Sequence, residues 1–155
     1  MTPRQRVLLV EDNAADVEFM LESLHGLGLV HDVAVARDGV EALRALGLEP
    51  VGGEPPAADR LPRLVILDVK LPRLDGLEVL ARIKRHPATR EIPVVMFTSS
   101  NLRRDVALGY HNGANSYVQK PVEFARFREV VRQLGQYWLS LNEPPPIEPG
   151  TGGDA

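Results

Sequence analysis

Glu11 and Asp12, Asp68, Thr98 and Ser99, and Gln119 and Lys120 each follow a short β-branched or aliphatic run. In an open parallel sheet, ligands bind beyond the carboxyl ends of the strands near the reversal in strand order, so such residues converge. Two carboxylates about 4 Å apart repel by about 4 kcal/mol at an effective dielectric near 20. Three together need a cation or must take up protons. An all-oxygen set without His or Cys points to Mg²⁺. Beside it, Asp68 would be the nucleophile toward a phosphoryl group, with Lys120 and the Thr98 hydroxyl binding the oxygens in transfer. Each acid also has a plainer reading alone: Glu11 and Asp12 as caps of the first helix, Asp68 as a loop acid. Their joint occurrence at successive strand ends favours the site.

The elements that must carry these residues alternate. Short apolar runs place strands at Arg6 to Val10, Asp32 to Ala36, Leu64 to Leu67, Val94 to Phe97 and Ser116 to Val118. Helical periodicity fills the gaps at Ala14 to Leu27, Val40 to Leu46, Leu77 to Arg85, Leu102 to Asn112 and Val122 to Leu141. This is the pattern of an α/β fold, with crossover helices around a parallel sheet whose strands are buried on both faces. Asn13 is a candidate cap for the first helix, with Asp16 in its first turn. Gly28, Gly47 and Gly113 stand where helices should stop. Gly47 to Pro62, rich in Gly and Pro, reads as a surface loop without a specific role.

Composition excludes several classes. A chain of 155 residues, 44% hydrophobic and 25% charged, is the size of one compact domain. It has no cysteine, so neither disulfides nor thiolate metal sites can form, and a cytoplasmic location is the simplest expectation. Val7 to Val10 is too short for a signal-peptide core or a membrane span. A net charge of -3 offers no broad attraction to nucleic acid, although Arg126, Arg128 and Arg132 share the last helix. His25, His31, His86 and His111 are scattered and read as surface residues. After Leu141 a Pro/Gly-rich stretch cannot bury enough apolar surface to fold alone. The division expected is a tail at 1–5, one domain at 6–143 and a flexible tail at 144–155.

The segments Leu-Leu-Val-Glu-Asp-Asn, Val-Ile-Leu-Asp-Val-Lys-Leu-Pro-Arg-Leu-Asp-Gly, Phe-Thr-Ser-Ser and Gly-Ala-Asn-Ser-Tyr-Val-Gln-Lys-Pro resemble a response-regulator receiver domain over roughly Arg6 to Leu141. The resemblance implies a flavodoxin-like, doubly wound, five-stranded parallel sheet of order 2-1-3-4-5. It implies phosphorylation of Asp68 by a sensor histidine kinase, with Thr98 and Lys120 binding the phosphoryl group. It also implies Mg²⁺ held directly by Asp12, through water by Glu11, and by Asp68 and the Lys70 carbonyl. Tyr117 matches the aromatic switch residue that moves inward as the Thr98 hydroxyl turns toward the phosphoryl group. Lys70 and Ser100 fall at the variable positions that flank the path of the hydrolytic water. The ending Val-Val-Arg-Gln-Leu-Gly-Gln-Tyr-Trp-Leu-Ser-Leu-Asn-Glu-Pro-Pro is similar to the small regulators paired with bacterial and cyanobacterial phytochromes, which implies a bacteriophytochrome-type kinase as partner.

Other readings fare worse. A haloacid-dehalogenase-like phosphatase needs a second acid two residues after the nucleophile, where this chain has Lys70. A flavodoxin-like cofactor binder needs a phosphate cradle after the first strand, where Glu11 and Asp12 would repel a phosphate. A pseudo-receiver would not need the full set of acids, Thr and Lys. The sequence offers no effector domain after Pro144, so the output is expected to leave through the receiver's own surface. Phe124, Phe127, Val131, Leu134, Trp138 and Leu141 form a seam on the last helix, widened by Val130 and Tyr137. Its end should expose Tyr137, Trp138 and Leu141, and the expectation is a homodimer through the fourth helix, fifth strand and fifth helix.

Overall fold

The computed structural model describes residues 5–27, 31–48 and 61–146. Five parallel strands, β1 (Gln5–Val10), β2 (His31–Ala36), β3 (Leu64–Leu67), β4 (Val94–Thr98) and β5 (Ser116–Gln119), pair in the order β2-β1-β3-β4-β5. The helices are α1 (Ala14–His25), α2 (Gly39–Ala45), α3 (Gly76–Arg85), α4 (Arg103–His111) and α5 (Phe124–Gln136), and a π turn (Tyr137–Leu141) follows α5.

The central strands divide their side chains between two cores with period two. Leu8, Val10, Val65, Leu67, Val94 and Met96 pack with Ala42, Leu43, Val79, Leu80 and Ile83 of α2 and α3. Val7, Leu9, Leu64, Ile66, Val95 and Phe97 pack with Met20, Leu24, Phe127 and Val131 of α1 and α5. Both faces are covered, so every residue of β3 and β4 is buried and the strands read as unbroken apolar runs. The edge strand β5 is only half-buried.

The caps explain where helices start. Asn13 Oδ1 accepts from the Asp16 N–H at 3.0 Å, as expected. Asp38 and Asp75 do the same for α2 and α3, accepting from the N–H groups of Glu41 and Leu77, each at 2.8 Å. Helix α1 ends at His25 with Gly26 as its cap, two residues short of the expected Leu27; the predicted stop at Gly28 lies outside the described residues. Gly47 and Gly113 do end helices in left-handed conformation, with φ of 71° and 102°. Most of the Gly47 to Pro62 loop, and the tails before residue 5 and after residue 146, also lie outside the described residues.

The last helix departs most from expectation. It starts at Phe124 rather than Val122 and gives way to a π turn at Tyr137, closed by Asn142 N–H donating to the Tyr137 carbonyl. A wider turn does not keep three-four spacing. Leu139 is the residue buried there, while Trp138 is half-buried against the α1–α5 core. Tyr137 and Leu141 are exposed as expected; of the seam, Phe127, Val131 and Leu134 pack inward, while Phe124 at its start is exposed. Arg126 and Arg128 are paired with Glu129 and Glu22. No helix among the described residues is long and apolar enough to cross a membrane.

Candidate phosphoryl-transfer site

Glu11, Asp68 and Lys120 each continue the sheet ladder by one rung beyond their strands. The Glu11 N–H donates to the Ala36 carbonyl at 3.0 Å, that of Asp68 to Val10 at 3.1 Å, and that of Lys120 to Thr98 at 2.7 Å. The ladder brings residues distant in sequence to one end of the sheet. The segment after Asp68 then folds back on itself, with the Gly76 N–H donating to the Val69 carbonyl at 2.7 Å. A Cβ at Gly76 would lie 1.9 Å from the Asp68 carbonyl oxygen, so only glycine permits this close approach. Arg73, within the same segment, sits at φ 69° and pairs with Asp38 at 3.6 Å.

Glu11, Asp12 and Asp68 each place a carboxylate oxygen within 4.8 Å of the others. Glu11 and Asp68 are buried, whereas Asp12 is open to solvent. At this separation each charged pair repels by about 3 kcal/mol at an effective dielectric near 20. Lys120 relieves the repulsion: its ammonium donates to Asp68 Oδ2 at 2.9 Å, to Asp16 Oδ2 at 3.0 Å and to Glu11 Oε1. Glu11 Oε2 accepts from the Asn13 N–H at 3.0 Å, and Asp68 Oδ1 has only a long contact, 3.4 Å, from the Lys70 N–H.

Burial pushes the Glu11 carboxyl up to about 7, with Asp68's charge adding to the rise and the Lys120 hydrogen bond opposing it. Burial acts to lower Lys120, but its bond to Glu11 and the charge of Asp68 prevail and hold the ammonium above its ordinary range. The cluster thus stores negative charge that one cation only partly balances. Three hard carboxylate ligands this close, one of them solvent-facing, fit a Mg²⁺-class ion, and the set lacks the nitrogen or sulfur that softer metals prefer.

Thr98 is buried at the end of β4, and its Oγ1 accepts from the Ser100 N–H at 3.3 Å. The Tyr117 hydroxyl donates to the Ser100 carbonyl at 2.9 Å, so the half-buried ring points toward the β4–α4 connection. Burial raises the Tyr117 phenol, helped by the charges of Asp105 and Asp68. Ser99, Gln119 and Lys70 have exposed side chains. Tyr137, Trp138 and Leu141 follow the far end of α5, away from the acidic cluster.

Two participants escaped the sequence reading. Asp16, read as a first-turn acid of α1, also shares Lys120. Asp105 is buried in the first turn of α4 and accepts from the Ser100 hydroxyl at 2.5 Å. The available signal was its position, three residues after Leu102, a helix cap with no side-chain acceptor.

The chain resembles known proteins in sequence and in overall fold. The family model described as the response regulator receiver domain covers residues 7–132. The chain is 40% identical over 139 residues to the probable methanogenesis regulatory protein FilR2 of Methanothrix harundinacea, covering 90% of this chain and 86% of that protein. It is 36% identical over 137 residues to response regulator Rcp1 of Synechocystis, covering 88% and 90% of the two lengths. A Mn²⁺-bound form of Rcp1 superposes with a TM-score of 0.81 at 32% identity over 92% of this chain and 99% of that one. The phosphorylated cyanobacterial phytochrome response regulator RcpA gives a TM-score of 0.82 at 33% identity, with the same coverage.

Proposed function

The chain belongs to the response regulator receiver family and is similar to phytochrome response regulators, and from that premise we propose that Asp68 is its phosphoacceptor. The observation that carries the proposal is the buried Asp68 carboxylate at the β3 end, held by Lys120 and flanked by Glu11 and Asp12. Asp68 Oδ1, the less engaged oxygen, attacks the phosphorus of a kinase phosphohistidine. An O–P bond forms, the N–P bond breaks, and the imidazole leaves as the kinase regains its histidine. Lys120 and the Thr98 hydroxyl would stabilise charge on the phosphoryl oxygens. Water later cleaves the acyl phosphate, releasing inorganic phosphate and restoring the carboxylate.

Glu11, Asp12, Asp68 and the Lys70 carbonyl would hold Mg²⁺, which supplies positive charge against the incoming phosphoryl oxygens. The Mn²⁺-bound form of Rcp1 supports a divalent cation in a relative of this chain. The partner we infer is a sensor histidine kinase of the phytochrome type, since Rcp1 and RcpA are relatives over most of the chain. The receiver unit we propose runs from residue 6 to 143, and its output leaves through a homodimer face built on α4, β5 and α5. Exposed Leu102, Leu108, Tyr110, Phe124, Tyr137 and Leu141 support that face. Neither a haloacid-dehalogenase-like phosphatase nor a pseudo-receiver is supported by these relatives.

The test is labelling with a phosphorylated kinase or a small phosphodonor. Asp68→Asn removes the nucleophile while nearly preserving shape, and it is expected to abolish labelling in a protein that still folds. Undiminished labelling of that variant would refute the assignment.

A further inference from the structure

Helix α4 begins without the usual side-chain cap, since Leu102 offers no acceptor to the first-turn N–H groups. Ser100 stands in. Its hydroxyl accepts from the Leu102 N–H at 3.4 Å and donates to Asp105 Oδ2 at 2.5 Å. The arrangement is a capping box with one hydroxyl inserted between the cap residue and the acid of the first turn. Ser100 and Asp105 are 8% and 7% exposed, so the bond is sheltered. The other carboxylate partner of note, Arg104, is 3.9 Å away on an exposed side chain and contributes little.

The backbone of the same residue faces the proposed reaction site. Its N–H donates to Thr98 Oγ1, and its carbonyl accepts from the Tyr117 hydroxyl. Ser100 therefore joins Thr98, Tyr117 and α4 at one point. The Ser100 N–H uses an acceptor lone pair of the Thr98 hydroxyl and leaves its proton free to donate to a phosphoryl oxygen, so it fixes where that hydroxyl sits. Ser100 cannot shift without moving Asp105 or breaking a bond to a buried carboxylate, which is among the stronger hydrogen bonds. Helix α4 also presses on the Tyr117 ring: a Cβ at Gly109 would lie 3.1 Å from Tyr117 Cδ2.

We propose that Ser100 and Asp105 are a positioning pair that couples the Thr98 hydroxyl to the placement of α4, so that phosphoryl binding at Asp68 and α4 position are linked energetically. The inference rests on the reading of Asp68 as phosphoacceptor. Neither residue touches the transferring group. Their effect passes through Thr98, which separates this role from that of an ordinary helix cap.

A double-mutant cycle tests it, with trifluoroberyllate plus Mg²⁺ as a stable phosphoryl mimic and affinity measured by calorimetry. Asp105→Ala is expected to weaken binding at least about fivefold, the lower range of typical coupling. In a Thr98→Val background the same change should alter affinity by less than about twofold, the scatter of independent sites. Ser100→Ala removes the bond from its other side and carries the same expectation if Asp105→Ala does not fold. Ser100→Thr, which keeps the hydroxyl, should bind like wild type. An equal loss with and without Thr98, or a lowered urea midpoint with unchanged affinity, would reduce the pair to a helix cap and overturn the proposal. Wild type that fails to bind the mimic, or Asp68→Asn that still binds it, would instead overturn the phosphoacceptor reading, and the coupling with it.

Discussion

Replacing Lys120 with Met keeps the length of the side chain and removes the one ammonium shared by Glu11, Asp16 and Asp68. The 2.9 and 3.0 Å contacts to Asp68 and Asp16 correspond to gross attractions of about 5.5 kcal/mol each at an effective dielectric near 20. Most of this is offset by the cost of desolvating the ammonium, whose side chain is 9% exposed. What remains on removal is a set of buried carboxylates without a counter-charge, which costs about 3–5 kcal/mol. The pH dependence follows from Glu11, whose folded-state pKa is already raised to about 7 by burial. A raised carboxyl pKa means the folded state holds the proton more tightly than the unfolded chain. Folding is thus favoured as pH falls through the folded value, and the penalty is full above it. Without Lys120 that pKa climbs further. The deficit of Lys120→Met should be at least about 3 kcal/mol at pH 8 in EDTA and about half that, or less, at pH 5. Urea unfolding followed by Trp138 fluorescence would measure it, and Mg²⁺ at 100 times its Kd should restore about 2.7 kcal/mol at pH 8. A deficit below about 1 kcal/mol, or one equal at both pH values, would refute the reasoning.

Asp12→Asn should weaken Mg²⁺ binding at least about tenfold, or 1.4 kcal/mol, and more than Glu11→Gln does, because Asp12 faces solvent and is not engaged by Lys120; calorimetry would detect equal or reversed losses. Gly76→Ala drives a methyl into the Asp68 carbonyl, so a stability loss of about 3 kcal/mol or more is expected by urea titration. Leu141→Ala should shift a dimer toward monomer in analytical ultracentrifugation with stability changed by about 0.5 kcal/mol or less, since the residue is 75% exposed. Trp138→Ala should instead destabilise the monomer by about 1–3 kcal/mol because the ring is half-buried.

The architecture, and the convergence of most of the candidate site residues, are legible along the chain. Burial on both sheet faces turned β1, β3 and β4 into continuous apolar runs, and that signal is local enough to read without coordinates. Because parallel strands all end on one side, the acids, threonine and lysine after those runs could be assembled into one cluster from strand ends alone. Asn13 as a cap, and Gly47 and Gly113 as left-handed stops, were equally legible, since each depends on its own backbone. Tertiary structure decided what depends on distance between elements. Asp16 joins the site only because Lys120 reaches it from 104 residues away, and Asp105 is buried only because α4 folds back over Ser100. The end of α5 is the same kind of case. An α-helical seam assigned Trp138 to the exposed patch, but the π turn adds a residue to the turn and puts Leu139 into the core instead. That choice is made by packing against α1, where Gly135 lets Leu24 and Leu27 approach closely, and no periodicity within the helix encodes it.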